Sequence, residues 1–228
     1  MDVNSLTLNR TKRFPTTMAE GCEAHFESRY RERFASDHPD MIGYFERHLF
    51  FITMTFRPSR ISLKPGGKRP HPLGELNRLY FRTMRNVLGN NLNRKRQHQS
   101  LVYAFLDFAG SRHAKTFDPH NLQNIHIHAI GLTSPQHRLP FQIGMADWFT
   151  RTRLVYDANC EEISEHQHRW DDDWLKEIGR FSTIDCIEIQ NFKYRNELSL
   201  YDLITYCMKG MVKLPKNVRD DFWLMCPA

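Results

Sequence analysis

The sequence has no apolar run long enough to cross a membrane, and its first residues, MDVNSLTLNRTKRF, lack the apolar core of a secretory signal. Both absences predict a cytoplasmic protein that works without a membrane. The five cysteines are scattered, with no Cys-x-x-Cys pair, which argues against a zinc ribbon and against a disulfide framework. No Gly-x-x-x-x-Gly-Lys-Ser/Thr motif is present, so the chain lacks a nucleotide-driven motor of that type.

Acidic residues are fewer than basic residues in this sequence. The 26 Asp and Glu residues stand against 32 Lys and Arg, which leaves a net charge of +6. A basic domain favours a polyanionic partner, because Lys and Arg neutralise phosphates and release their counterions. Hydrophobic residues make up 40 %, enough for a packed core, and no internal repeat is visible.

Strand and helix patterns alternate along most of the chain. Runs of β-branched and aromatic residues predict four strands, at 48–56, 100–110, 124–133 and 182–192. Apolar residues at helical spacing predict helices at 19–34, 74–96, in pieces within 140–180, and at 197–213. We divide the chain into an N-terminal extension (1–45), one domain (46–215) and a C-terminal tail (216–228).

The order of these elements predicts an α+β fold. Strand, helix, strand, strand, helical region and strand follow one another, as in a ferredoxin-like βαββαβ core with an antiparallel sheet. We expect the helices on one face of the sheet, with the last helix added after the core.

A pair of histidines in the third predicted strand is the first candidate site. A strand has a period of two, so His126 and His128 point to the same face and are a natural pair of metal ligands. Mg or Mn favours an added carboxylate, and Asp107, near the end of the preceding strand, is the candidate, with Glu188 as a rival. Two exposed histidines without a ligand are the alternative. The pair at 166 and 168 lies in a charged segment without a strand pattern, and we assign it to solvent.

The last predicted helix holds a candidate nucleophile. By helical periodicity Tyr206 lies on its polar side, beside Lys209 and Lys213 and away from the apolar stripe. A phenol is a poor nucleophile at neutral pH, and a nearby cation favours the reactive phenolate. An exposed helical tyrosine without a catalytic role is the alternative.

Together these segments resemble the HUH endonucleases of the rolling-circle replication initiator type. FITMTF (51–56) resembles the first motif of that family, HIH (126–128) its His-hydrophobic-His motif, and YCMK (206–209) its YxxK motif, in the family's order. The resemblance implies that His126 and His128 bind Mg or Mn, with Asp107 as the third ligand. It also implies that Tyr206 attacks a phosphate of single-stranded or hairpin origin DNA and that Lys209 assists.

One departure from the family refines the prediction. Members with two active tyrosines often carry YxxxY in this helix, but the second position here is Gly210. Tyr201 lies about 140° away around the helix and does not serve the same site. We therefore predict an enzyme with a single nucleophilic tyrosine, which depends on a separate host helicase and polymerase.

Two other functions stay open at the level of the sequence. An HUH transposase uses the same chemistry, and a non-catalytic DNA-binding relative keeps the fold without cleavage. In either case basic residues are expected to follow the DNA backbone; the candidates are Arg57, Arg60, Lys64, Arg78, Arg82 and Lys213.

Overall fold

The structure is a computed structural model that describes residues 3–64, 67–89, 92–108, 124–146, 152–156, 162–167, 183–191, 199–211, 214 and 223–227. Its helices are α1 (Val3–Arg33), α2 (Met41–His48), α3 (Pro72–Leu88), α4 (Arg138–Ala146) and α5 (Leu200–Cys207), with 3₁₀ turns at Pro58–Arg60 and Leu92–His98. Its strands are β1 (Leu49–Phe56), β2 (Leu101–Asp107), β3 (His126–Leu132), β4 (Thr152–Tyr156), β5 (Glu162–Gln167), β6 (Ile184–Asn191) and β7 (Trp223–Cys226).

An antiparallel sheet of five strands forms the centre of the fold, in the order β6-β1-β3-β2-β7. The α+β class and the four predicted strands β1, β2, β3 and β6 are confirmed. The fifth strand, β7, lies within the predicted tail and pairs with β2, a contact that its local sequence did not indicate. Strands β4 and β5 form a two-stranded sheet of their own.

Helices pack on both faces of the sheet, so the expectation of helices on one face is wrong. On one face, the ring of Phe141 in α4 lies 5.3 Å from Phe50 of β1 and 6.1 Å from Tyr80 of α3. On the other face, Phe26 of α1 lies 5.5 Å from Tyr103 of β2. Both faces of the central strands carry buried apolar residues, which need a covering layer to exclude water.

The first helix belongs to the core. A helix within 19–34 is confirmed, and its buried residues recur at helical spacing: Ala19, Cys22, Phe26 and Tyr30. His25 of α1 forms a hydrogen bond of 2.7 Å with the Tyr103 hydroxyl of β2. The predicted N-terminal extension therefore covers one face of the sheet, while the domain boundaries themselves stay predictions.

Three predicted elements differ from the structure. The helix expected at 74–96 ends at Leu88, because Gly89 takes a φ of 81° and breaks the helical repeat before the 3₁₀ turn. The helix expected at 197–213 ends at Cys207 and continues as turns to Met211. The segment around 162–167, thought to lack a strand, is β5, because cross-strand pairing with β4 overrides its polar composition.

None of the helices in the described ranges is long and apolar enough to cross a membrane. Of the helical pieces predicted within 140–180, α4 (Arg138–Ala146) is confirmed, whereas 168–180 lies outside the described residues, as does the second histidine of the pair at 166 and 168.

Candidate metal centre

The strand register brings the three predicted ligands together. Asp107 of β2 lies directly opposite His126 of β3, and His128 lies opposite Thr53 of β1. Residues paired across an antiparallel sheet share a face, and so do residues two apart on one strand. The carboxylate and both imidazoles therefore lie on one face of the sheet, the face that α5 covers.

The distances within this group suit a metal ion. Asp107 Oδ2 lies 3.2 Å from His126 Nε2 and 3.7 Å from His128 Nε2, and the two Nε2 atoms lie 3.1 Å apart. An ion bound at roughly 2.0–2.2 Å by such ligands holds neighbouring ligand atoms about 3.0–3.5 Å apart. Asp107, His126 and His128 can therefore hold a divalent cation.

Backbone contacts orient the ligand atoms toward a shared point. His126 Nδ1 lies 2.7 Å from the carbonyl oxygen of Asn124, and a carbonyl only accepts, so Nδ1 carries the proton. In the neutral ring Nε2 then has the lone pair that faces Asp107 and His128. Asp107 Oδ1 accepts a bond of 2.8 Å from the Phe108 N–H, which directs Oδ2 toward the histidines.

The three candidate ligands differ in burial, and a lysine lies beside two of them. The Asp107 side chain is 1 % exposed and that of His128 6 %, whereas that of His126 is 23 % exposed. A buried carboxylate needs a compensating cation, and Lys209 Nζ lies 3.0 Å from Asp107 Oδ2 and 3.3 Å from His128 Nε2. Two of the three ligand atoms thus already contact a positive charge.

Tyr206 lies beside this group at the protein surface. Its side chain is 41 % exposed, its ring lies 5.2 Å from that of His128, and Lys209 Nζ lies 4.2 Å from its ring centroid. A cation over the ring interacts favourably with it. The neighbouring thiol of Cys207 is fully buried, and burial raises its pKa well above the usual value, which makes Cys207 an inert neighbour.

The structure adds residues that the sequence patterns did not single out. The ring of Phe51 stacks on His128 with centroids 5.3 Å apart, and it lies 6.2 Å from the ring of Tyr206. Strand alternation in FITMTF already placed Phe51 on the face of Thr53. That this face neighbours His128 follows only from the register, and the Asn124 carbonyl has no sequence signal.

The other predicted site residues are dispersed. Arg57, Arg60 and Lys64 are exposed in the segment that follows the end of β1 that pairs with His126. Arg78 and Arg82 lie on α3, which packs on the opposite face. Lys213 lies outside the described residues. Glu188 pairs with Thr53 through its backbone, its side chain is not among the described atoms, and its role as rival ligand stays a prediction.

A scan against protein-family models, a search of curated proteins and a search of solved structures each returned no match to this chain. The resemblance to the HUH endonucleases therefore depends on the three motifs alone and stays a prediction.

Proposed function

We propose that the chain is a replication-initiator endonuclease of the HUH type, which nicks single-stranded origin DNA with Tyr206 and later rejoins the strand. One observation carries the proposal: the exposed Tyr206 ring lies next to His128 and under Lys209, at the edge of a three-ligand metal group. A tyrosine, a cation and a candidate Lewis-acid site within one cluster suit attack on a phosphodiester.

The topology supports this proposal. The strands β1, β2, β3 and β6 lie in the order β6-β1-β3-β2 with every neighbour antiparallel, and α3 connects β1 to β2. We infer from that order a ferredoxin-like βαββαβ core, in which β7 extends one edge. The ligands then come from the two adjacent strands β2 and β3, and the nucleophile from the helix after the core.

The proposed reaction is a transesterification. The Tyr206 oxygen forms a bond to the scissile phosphorus, the bond from phosphorus to the 3′ oxygen breaks, the phenol loses its proton and the leaving oxygen gains one. The products are a 5′-phosphotyrosine and a free 3′-hydroxyl, and attack by a 3′-hydroxyl on that link rejoins DNA without an external energy source.

Each residue of the centre has a part in this scheme. Asp107, His126 and His128 would hold Mg or Mn, which would supply Lewis-acid polarisation of the phosphate. Lys209, close to both the ligands and the Tyr206 ring, stabilises the phenolate or contacts the phosphate. Phe51 supports His128 from the side by ring stacking.

The test is formation of a covalent adduct. A random pool of single-stranded oligonucleotides, labelled at the 3′ end because the 5′-phosphotyrosine retains that fragment, is incubated with the protein and Mn. We expect a labelled band that survives denaturing electrophoresis, requires Mn and disappears in Tyr206→Phe. Tyr201→Phe, in the same helix, is the matched control and should retain it.

Two outcomes would contradict the proposal. An adduct that persists in Tyr206→Phe rejects the nucleophile, and binding of the pool without any adduct in Mn favours the non-catalytic alternative. Sequencing the DNA recovered from the adduct identifies the preferred site, and the position of that site relative to a replication origin or to the end of an element separates an initiator from a transposase.

A further inference from the structure

The outer side of α3 carries a row of arginines around an exposed aromatic ring. Arg78, Phe81, Arg82 and Arg85 recur at intervals of three and four residues and so share one side of the helix. Phe81 is 36 % exposed, an unusual position for a phenyl ring between cations. The only acid of α3, Glu75, is 3 % exposed and forms an ion pair of 2.9 Å with Arg78, so the three arginines of this helix outnumber its acids.

The 3₁₀ turn Leu92–His98 extends this row beyond the end of α3. Every residue of the turn after Leu92 is exposed, including Arg94 and Arg96. Lys95 Nζ donates to the Leu88 carbonyl at 2.5 Å, which holds the turn against the helix end. From Leu76 to Leu106 the sequence contains no Asp or Glu. We call the outward side of α3 and of this turn the α3 surface; its side chains are the half-buried Arg82 and the exposed Arg78, Phe81, Arg85, Arg94 and Arg96.

The α3 surface is held rigidly rather than carried on a free loop. Arg29 of α1 donates to the carbonyls of Gln97 and Gln99 at 3.1 and 2.8 Å. Tyr80 of α3 donates to the Ser100 carbonyl at 2.6 Å. Cations that are held in place lose less conformational entropy when they bind phosphates.

Hydrogen bonds through Thr183 also connect the segment after β1 to the start of α3. Thr183 accepts a backbone bond of 2.9 Å from Arg57 and donates its hydroxyl to Glu75 in the first turn of α3 at 2.5 Å. The exposed Arg57 thus lies near the start of α3, and Arg60 and Lys64 are exposed in the segment that follows it.

A row of arginines alone suits any polyanion. The exposed ring of Phe81 favours a single-stranded nucleic acid over a duplex. Bases of a single strand stack on aromatic side chains while basic residues follow the backbone, whereas paired bases in a duplex are already stacked on one another. From Arg78 to Arg85 the row spans about 10 Å of helix, a length that suits a few nucleotides.

We propose that the α3 surface binds the single-stranded DNA that flanks the cleavage site, with a base stacked on Phe81. The choice of DNA rests on the proposed function. This surface lies on the face of the sheet opposite the metal centre, so the protein holds its substrate on two faces.

The test is fluorescence anisotropy with a labelled dT25 oligonucleotide in EDTA, where no nicking occurs. We expect Phe81→Ala to weaken binding about 5-fold or more, as for loss of one stacked base. Arg85→Ala/Arg94→Ala should lower the slope of log K against log salt by about 1.4, since each lost contact to a single strand removes about 0.7. The matched controls are Ile42→Ala and Arg31→Ala, exposed residues elsewhere, which should bind like the wild type.

Several results would overturn the proposal, provided that the variants melt at the wild-type temperature. One is that the Phe81 and Arg85/Arg94 variants bind dT25 as tightly as the wild type. Another is that these variants lose affinity only for a U25 RNA or for a hairpin duplex. Because binding is measured without metal, the two proposals fail separately. Unchanged binding together with a Tyr206-dependent adduct rejects only the α3 surface, and α3-dependent binding without any adduct rejects only the nuclease.

Discussion

Gly210 lies against Asp107 so closely that no side chain fits between them. A Cβ atom on Gly210 would come within 2.7 Å of Asp107 Oδ1 and 3.2 Å of the Leu106 carbonyl oxygen. The turn after α5 therefore needs glycine in order to bring Lys209 onto the carboxylate. A tyrosine at 210, as in a YxxxY pattern, would displace the candidate metal ligand.

The Gly210 contact makes a prediction about metal affinity. In Gly210→Ala the Asp107 carboxylate must shift, and we expect Mn to bind about 10-fold more weakly by calorimetry. Overpacking should also lower the free energy of unfolding by about 1–3 kcal/mol. Gly74→Ala is the control: it meets no atom within 4 Å and should raise stability by about 0.5–1 kcal/mol. Equal Mn affinity in the wild type and in Gly210→Ala would contradict a role of the close contact between Gly210 and Asp107 in metal binding.

Asn124 makes a second prediction through its backbone. Its φ of 58° lies in the left-handed region, and its carbonyl accepts from His126 Nδ1. Valine disfavours this conformation whereas glycine adopts it freely. We expect Asn124→Val to weaken Mn binding about 10-fold and Asn124→Gly to leave it unchanged. If both variants bind Mn equally, the carbonyl does not orient His126.

Lys209 should oppose metal binding even though the proposed reaction uses it. Its ammonium holds Asp107 Oδ2 at 3.0 Å, and a divalent cation must displace it from that oxygen. Lys209→Met should therefore tighten Mn binding about 5- to 10-fold, the scale of one charge-assisted hydrogen bond. The same variant should form less Tyr206 adduct, and Lys209→Arg should bind Mn like the wild type. Weaker Mn binding in Lys209→Met would show that the lysine helps to build the site.

His48 predicts how stability depends on pH. Burial, together with the nearby positive charge of Arg138, lowers the pKa of His48 to about 3. In the unfolded chain that pKa is about 6.5, so between these values the unfolded state binds more protons. The protein therefore loses stability as the pH falls below about 6.5, by about 2 kcal/mol at pH 5 from this group.

Replacement of His48 tests this assignment by urea unfolding at pH 5 and pH 7. His48→Phe keeps a ring near Tyr44, whose centroid lies 4.5 Å away, and removes the titrating group. The stability difference between the two pH values should shrink by about 2 kcal/mol, whereas His98→Phe, at an exposed position, should leave it unchanged. If His48→Phe leaves the pH dependence of stability unaltered, that dependence comes from other groups.

The sequence by itself determined what local periodicity controls. Alternation in β3 put His126 and His128 on one face, the run of β-branched and aromatic residues placed β1, and helical spacing put Tyr206 on the exposed side of α5. Each follows from the fixed geometry of one strand or one helix. Local patterns missed the end of α3 at Gly89 and the pairing of β4 with β5.

Only the tertiary structure decided which of these faces meet. Strand register places Asp107 opposite His126 and brings Phe51 against His128, and register depends on pairings between segments far apart in the chain. The close approach of Gly210, the ion pair of Lys209 with Asp107, and the addition of β7 to the sheet likewise depend on distant segments. The sequence thus named the candidate metal ligands and the candidate nucleophile, and long-range packing decided that they lie together.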